Sequence, residues 1–79
     1  MSNEVSIAKD GTVTITNIDE QGRFFIAMRT LRVRLRFAIR AGRTDSAALH
    51  AARGWAERVG YTGGMKTMKQ ALRFVEVNC

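Results

Sequence analysis

The sequence has no proline, one histidine, one cysteine, and no acidic residue between Gln21 and Thr44. With proline missing, element boundaries have to be read from glycines and capping residues. A single cysteine excludes an internal disulfide, and with a single histidine it cannot close a zinc site. A chain without a disulfide framework suits a reducing compartment. No apolar run approaches the roughly 18 residues that span a bilayer. Met1-Ser2-Asn3-Glu4 also lacks the basic start and apolar stretch of a signal peptide. Cytoplasmic residence is therefore the expectation, with no membrane partner.

Catalytic groups are equally sparse. Asp10, Asp19 and Glu20 fall in expected turns and Asp45 at an expected helix start, so no carboxylate pair suggests acid–base work and no cluster suggests a metal. His50 stands among alanines with no carboxylate three or four residues away. Cys79 is the last residue, where a nucleophile lacks the held geometry it needs. Gly63-Gly64 precedes a helical stretch but lacks the Gly-x-x-x-x-Gly-Lys-Ser/Thr spacing of a phosphate loop, and reads as a connector. Neither enzymatic activity nor a cofactor is expected.

What the chain does have is arginine. Its 79 residues form a single domain, 1–79, with a net charge of +6. A domain this small buries only roughly 60% of its unfolded surface, so a homodimer is expected as reinforcement. Residues 1–30 carry three basic and four acidic side chains, whereas residues 31–79 carry ten basic and three acidic ones. Such asymmetry points the second part at an anionic partner. Six arginines lie between positions 29 and 43: Arg29, Arg32, Arg34, Arg36, Arg40 and Arg43. From Leu31 to Arg40, apolar and cationic residues alternate with one discrepancy, Ala38. The strand period of two would place Leu31, Val33, Leu35, Phe37 and Ile39 on one face and Arg32, Arg34, Arg36 and Arg40 on the other. Arginines sharing a face repel unless a carboxylate or phosphate lies over them. Glu4, Asp19 and Glu20 are the carboxylates placed to offset part of that charge across strands.

Val5–Ala8 and Thr12–Thr16 flank Lys9-Asp10-Gly11 as a hairpin, since Asp-Gly tolerates the positive φ of a tight turn. Asp19-Glu20-Gln21-Gly22 reads as a second turn leading to a strand over Arg23–Met28. Phe24, Met28, Leu31, Leu35 and Ala38, spaced 4, 3, 4 and 3, spell a competing helix. That helix leaves Phe25, Ile26, Val33 and Phe37 off its stripe, so a strand is preferred. Past Gly42 the period turns helical. Thr44, Asp45 or Ser46 can cap a helix whose stripe is Ala48, Ala52, Trp55 and Val59, ending at Gly60. Trp55 is expected at the centre of the core. Gly54 inside this helix costs about 1 kcal/mol against alanine, which a close backbone contact would explain. A last helix carries Met65, Met68, Leu72 and Val75 on one face, with Lys66 and Lys69 elsewhere. The expected fold is α+β: a small antiparallel sheet of three to four strands (about 4–40), then two helices (about 45–59 and 65–76) packed on one face.

The order strand Arg32–Phe37, helix Ser46–Val59, Gly60-Tyr61-Thr62 and a helix containing Ala71-Leu72-Arg73 resembles the layout of the ribbon-helix-helix repressors. It departs in a longer stretch between strand and first helix, and in the β-rich residues 1–30 that precede. Trp55–Thr62 is similar to the middle of a helix-turn-helix, with Met65 one residue early. The arginine face, more than these resemblances, leads to the expectation of a small basic regulator from a phage or other mobile element that binds DNA or RNA. Arg32, Arg34 and Arg36 would be its principal contacts, with Arg29, Arg40, Arg43, Lys66 and Lys69 around them. In profile the chain is also similar to phage accessory proteins such as anti-CRISPR inhibitors, which implies the alternative of an inhibitor or adaptor docking on a host protein or nucleoprotein complex.

Overall fold

The structure is a computed structural model that describes residues 5–79. Two short strands, β1 (Val5–Ile7) and β2 (Val13–Ile15), are followed by three helices, α1 (Ile18–Arg40), α2 (Ser46–Val59) and α3 (Met68–Val77). Of the described residues 63% are helical, which overturns the expected sheet of three to four strands. The expected strand over Arg23–Met28 and the arginine strand are both parts of α1.

The hairpin forms through local chemistry. Gly11 takes a φ of 95°, and the Thr12 N–H donates to the Asp10 carboxylate at 2.9 Å. Val5 pairs with Ile15, and Ile7 with Val13. Asn78, past the end of α3, ties the hairpin to the helices. Its Oδ1 accepts from the Val13 N–H at 2.7 Å, and its Nδ2 donates to the Gly11 and Phe74 carbonyls at 2.9 Å each.

The expected second turn is the first turn of α1. The Asn17 side chain accepts from the Glu20 N–H at 3.0 Å, while Asp19 and Glu20 sit at the positive end of the helix dipole. From there the helix runs 23 residues, about 35 Å. Phe24, Met28, Leu31, Leu35 and Ala38 are its buried residues, the stripe of the competing helix. Two causes favour helix over strand. The 4-3-4-3 stripe runs over four turns, longer than the alternation, and a helix satisfies its backbone internally without a neighbouring strand. Helical twist also spreads arginines that a strand would line up, and it turns Arg34 toward a carboxylate, Asp45.

Asp45 caps α2, accepting from the Ala48 N–H at 3.0 Å, and Gly60 closes the helix at φ 81°. α2 buries Ala48, Ala52, Ala56 and Val59, a face of small side chains. Gly54 meets nothing within 4 Å, so no close backbone approach explains it. Trp55 is at the edge of the core, half-buried, edge-on to Phe24 at 5.4 Å and covered by Arg58 at 5.0 Å. The centre is formed instead by Met28, Leu35, Phe74 and Val75. α3 begins at Met68 because Thr67 and Gln70 form a reciprocal capping box. The preceding loop is held by Arg53, which donates to the Met65 and Lys66 carbonyls at 2.7 and 2.8 Å. Gly63 lies under the Tyr61 ring, where a Cβ would sit 2.2 Å from its hydroxyl. Tyr61 and Arg53 thus hold the connector in place.

Candidate binding face of the long helix

With α2 and α3 packed against its buried stripe, α1 presents its opposite side outward. At about 100° per residue, Arg29, Arg32, Arg36 and Arg40 fall within an arc of about 80°. Of the arginines expected as contacts, these four remain together on the outer side. Arg34 is turned away from them, and its guanidinium holds the Asp45 carboxylate by two bonds, Nε to Oδ2 at 3.1 Å and Nη2 to Oδ1 at 3.0 Å. Arg43 follows the helix, exposed beside Thr44 and Asp45. Lys66 and Lys69 are exposed too, but on the loop and helix packed against the other side of α1. They do not join the ladder.

Among the described residues no carboxylate balances the ladder's charge. Among the described residues the ion pairs are Arg34 with Asp45 and Arg58 with Glu20. Glu20, expected to offset the arginine face, is thus committed to α2, and Glu4 lies outside the described residues. Arg29 lies over the Phe25 ring at 5.9 Å. Cations three and four residues apart on a helix repel one another. Arg40 alone is offset in part, by the negative end of the helix dipole.

The same outer side carries large apolar side chains. Ile26 is 66% exposed, Val33 63% and Phe37 68%, with Ile18 and Phe25 also open. These are largely the residues whose position off the buried stripe favoured a strand in the sequence. Their own spacing was the signal missed: Ile26, Val33 and Phe37 form a second stripe on the helix that buries the first. Val33 and Phe37 make a ridge between two open depressions. One, of about 330 Å³, is rimmed by Arg32, Arg36 and Arg40. The other, of about 490 Å³, runs from Val33, Arg34, Phe37 and Ala38 to the α1–α2 loop at Arg43–Asp45 and the first residues of α2, Ser46 and Ala47.

No family model, curated protein or solved structure matches the chain. Its chemistry has to be read from the face itself. Among the described residues no group of three or more His, Cys, Asp or Glu side chains is placed to hold a metal, and no helix is long and apolar enough to cross a membrane. His50 and Cys79 are both exposed. Asp45 and Asp10 are the carboxyls held below their ordinary value. At Asp45 the Ala48 N–H is the larger cause and Arg34 the smaller, and at Asp10 the cause is the bond from Thr12. Both are structural uses, a cap and a turn.

Proposed function

We propose that the protein is a small non-enzymatic inhibitor or adaptor that docks the outer face of α1 on an acidic surface of a larger protein or nucleoprotein complex. One observation carries this reading: an unbalanced arginine ladder and a stripe of exposed Ile, Val and Phe share one helix face. Phosphates alone would satisfy the arginines and leave the apolar stripe in water. A protein surface supplies carboxylates and apolar cover together, and arginine with aromatic residues is the composition enriched in protein interfaces. A bilayer surface fits poorly. Arg29 and Arg36 lie between Phe25 and Val33 around the helix, so inserting the apolar residues would carry those charges in with them. A second reading, docking on free nucleic acid, is favoured by the ladder's regular spacing and by the lack of any acidic residue from Gln21 to Thr44.

The test is photocrosslinking of the full chain with benzoyl-phenylalanine at position 37, in an extract of its source cells. A protease-sensitive, nuclease-resistant adduct that disappears with Arg36→Glu and Arg40→Glu is the expected result. A nuclease-sensitive adduct transfers the assignment to nucleic acid. An adduct indifferent to both charge reversals removes the ladder from the function.

A further inference from the structure

We infer that the outer face of α1 is one half of a two-helix seam, and that the missing half is an amphipathic helix of the partner flanked by glutamate or aspartate. The inference rests on the docking role proposed above and names the element that docks. Ile26, Thr30, Val33 and Phe37 recur at spacings of 4, 3 and 4, the alternation that seats one helix on another in a left-handed coil. A flat acidic surface needs no such period. Gly22, four residues before Ile26, meets nothing within 4 Å, so the approach to the seam's start is clear of side chain.

Charge decides against a second copy of this chain. Arg29 and Arg36 each stand one residue before a seam position, Thr30 and Phe37, and Arg34 stands one residue after Val33. In an antiparallel self-pair the residues preceding the seam meet their own counterparts, so Arg29 and Arg36 face the other copy's Arg36 and Arg29. In a parallel self-pair the residue before one seam position meets the one five further on, which sets Arg29 against Arg34, already held by Asp45, and Arg36 against Ala41. The antiparallel orientation opposes like charges and the parallel one gives Arg29 and Arg36 no free carboxylate, so charge selects a heterologous, acidic helix. The two depressions fit such an occupant. The Val33–Phe37 ridge separates a hollow rimmed by Arg32, Arg36 and Arg40, suited to carboxylates, from a more apolar one toward the α1–α2 loop, suited to an aliphatic anchor.

The probe is a synthetic three-heptad peptide with leucine at its seam positions and glutamate at the flanks. Mutual repulsion of the glutamates keeps the peptide from pairing with itself. Comparison ligands are the same peptide with lysine flanks, poly-L-glutamate, and a short DNA duplex, each titrated against the full chain by fluorescence anisotropy. The glutamate-flanked peptide is expected to bind best. Phe37→Ser and Arg36→Glu should each weaken it about tenfold or more. The double variant Arg29→Glu, Arg36→Glu should instead take the lysine-flanked peptide. If poly-L-glutamate or DNA binds as tightly as the glutamate-flanked peptide, and Phe37→Ser changes nothing, the seam is overturned while an anionic partner stands. Equal binding of the two peptides overturns the charge selection. If no anionic ligand binds, the docking role falls as well.

Discussion

Leu35 and Phe37 are two residues apart, and their substitution separates the two possible conformations of the arginine-rich segment. In a strand both would face the core, and truncating either would cost similar amounts. In α1, Leu35 is fully buried and Phe37 is 68% exposed. Leu35→Ala removes buried methyl groups from the core cluster that also holds Met28 and Phe74 and should cost about 2–5 kcal/mol. A domain of 79 residues has about 4–12 kcal/mol in total, so this variant approaches unfolding. Phe37→Ala loses about a third of a side-chain burial worth about 1.5–3 kcal/mol when complete. Better helix propensity returns about 0.5 kcal/mol, leaving a net change within about 0.5 kcal/mol. Urea denaturation followed by far-UV circular dichroism measures both. The midpoint should drop sharply for Leu35→Ala and hardly move for Phe37→Ala. If Phe37→Ala costs as much as Leu35→Ala, the outward face assigned to α1 is wrong, and the docking site with it.

Gly22 and Gly54 lie inside helices, and a Cβ added at either would meet nothing within 4 Å. Gly22→Ala and Gly54→Ala should therefore each stabilise by about 1 kcal/mol, raising Tm by about 4–8 °C. A loss of stability at Gly22 would restore the tight turn in place of the helix. Asp45 has a lowered carboxyl pKa when folded, so its contribution is full above the unfolded value near 3.8 and is lost as pH falls through the folded one. Asp45→Asn keeps a capping oxygen but not the charge, and should flatten part of the loss of Tm between about pH 5 and 2. Parallel acid profiles for the two proteins would remove that assignment. Arg36→Gln deletes repulsions with Arg32 and Arg40, and at low salt should stabilise by about 0.4–1 kcal/mol while weakening docking. A destabilised variant would mean that Arg36 has an internal partner.

The elements whose signals are local were legible in the sequence. Asp10-Gly11 marks its turn, and α2 lies between Asp45, one of three cap candidates, and Gly60. The long helix reads as a strand because both its faces are apolar. Leu31, Val33, Leu35, Phe37 and Ile39 imitate the period of a strand only because residues of the buried and outward stripes interleave. The buried stripe alone spells a helix, and the residues left over belong to the outward stripe. Phe74, the largest fully buried side chain, lay off the stripe read for α3, and the role of Asn78 depends on a hairpin more than sixty residues away. Of the expected contacts, Arg29, Arg32, Arg36 and Arg40 share a face because 3-4-4 spacing belongs to a helix. Arg34 was assigned to them only through the strand period.

The strand-like period of α1 and its candidate site have one physical origin. A helix packed on a small core needs one apolar stripe, and its solvent side is ordinarily polar, with charges of both signs that support it through pairs three and four residues apart. α1 does the opposite on its outer side. It carries charges of one sign at mutually repelling spacings and sets exposed Ile, Val and Phe among them. Each choice lowers the stability or solubility of the isolated chain, and neither is demanded by the core that the other face of α1 already completes. Substitutions that relieve both costs, Arg36→Gln and Phe37→Ser, are open to a helix whose fold does not depend on either residue. A surface that works against its own chain in two independent ways is accounted for when something outside the chain supplies the carboxylates and the apolar cover together.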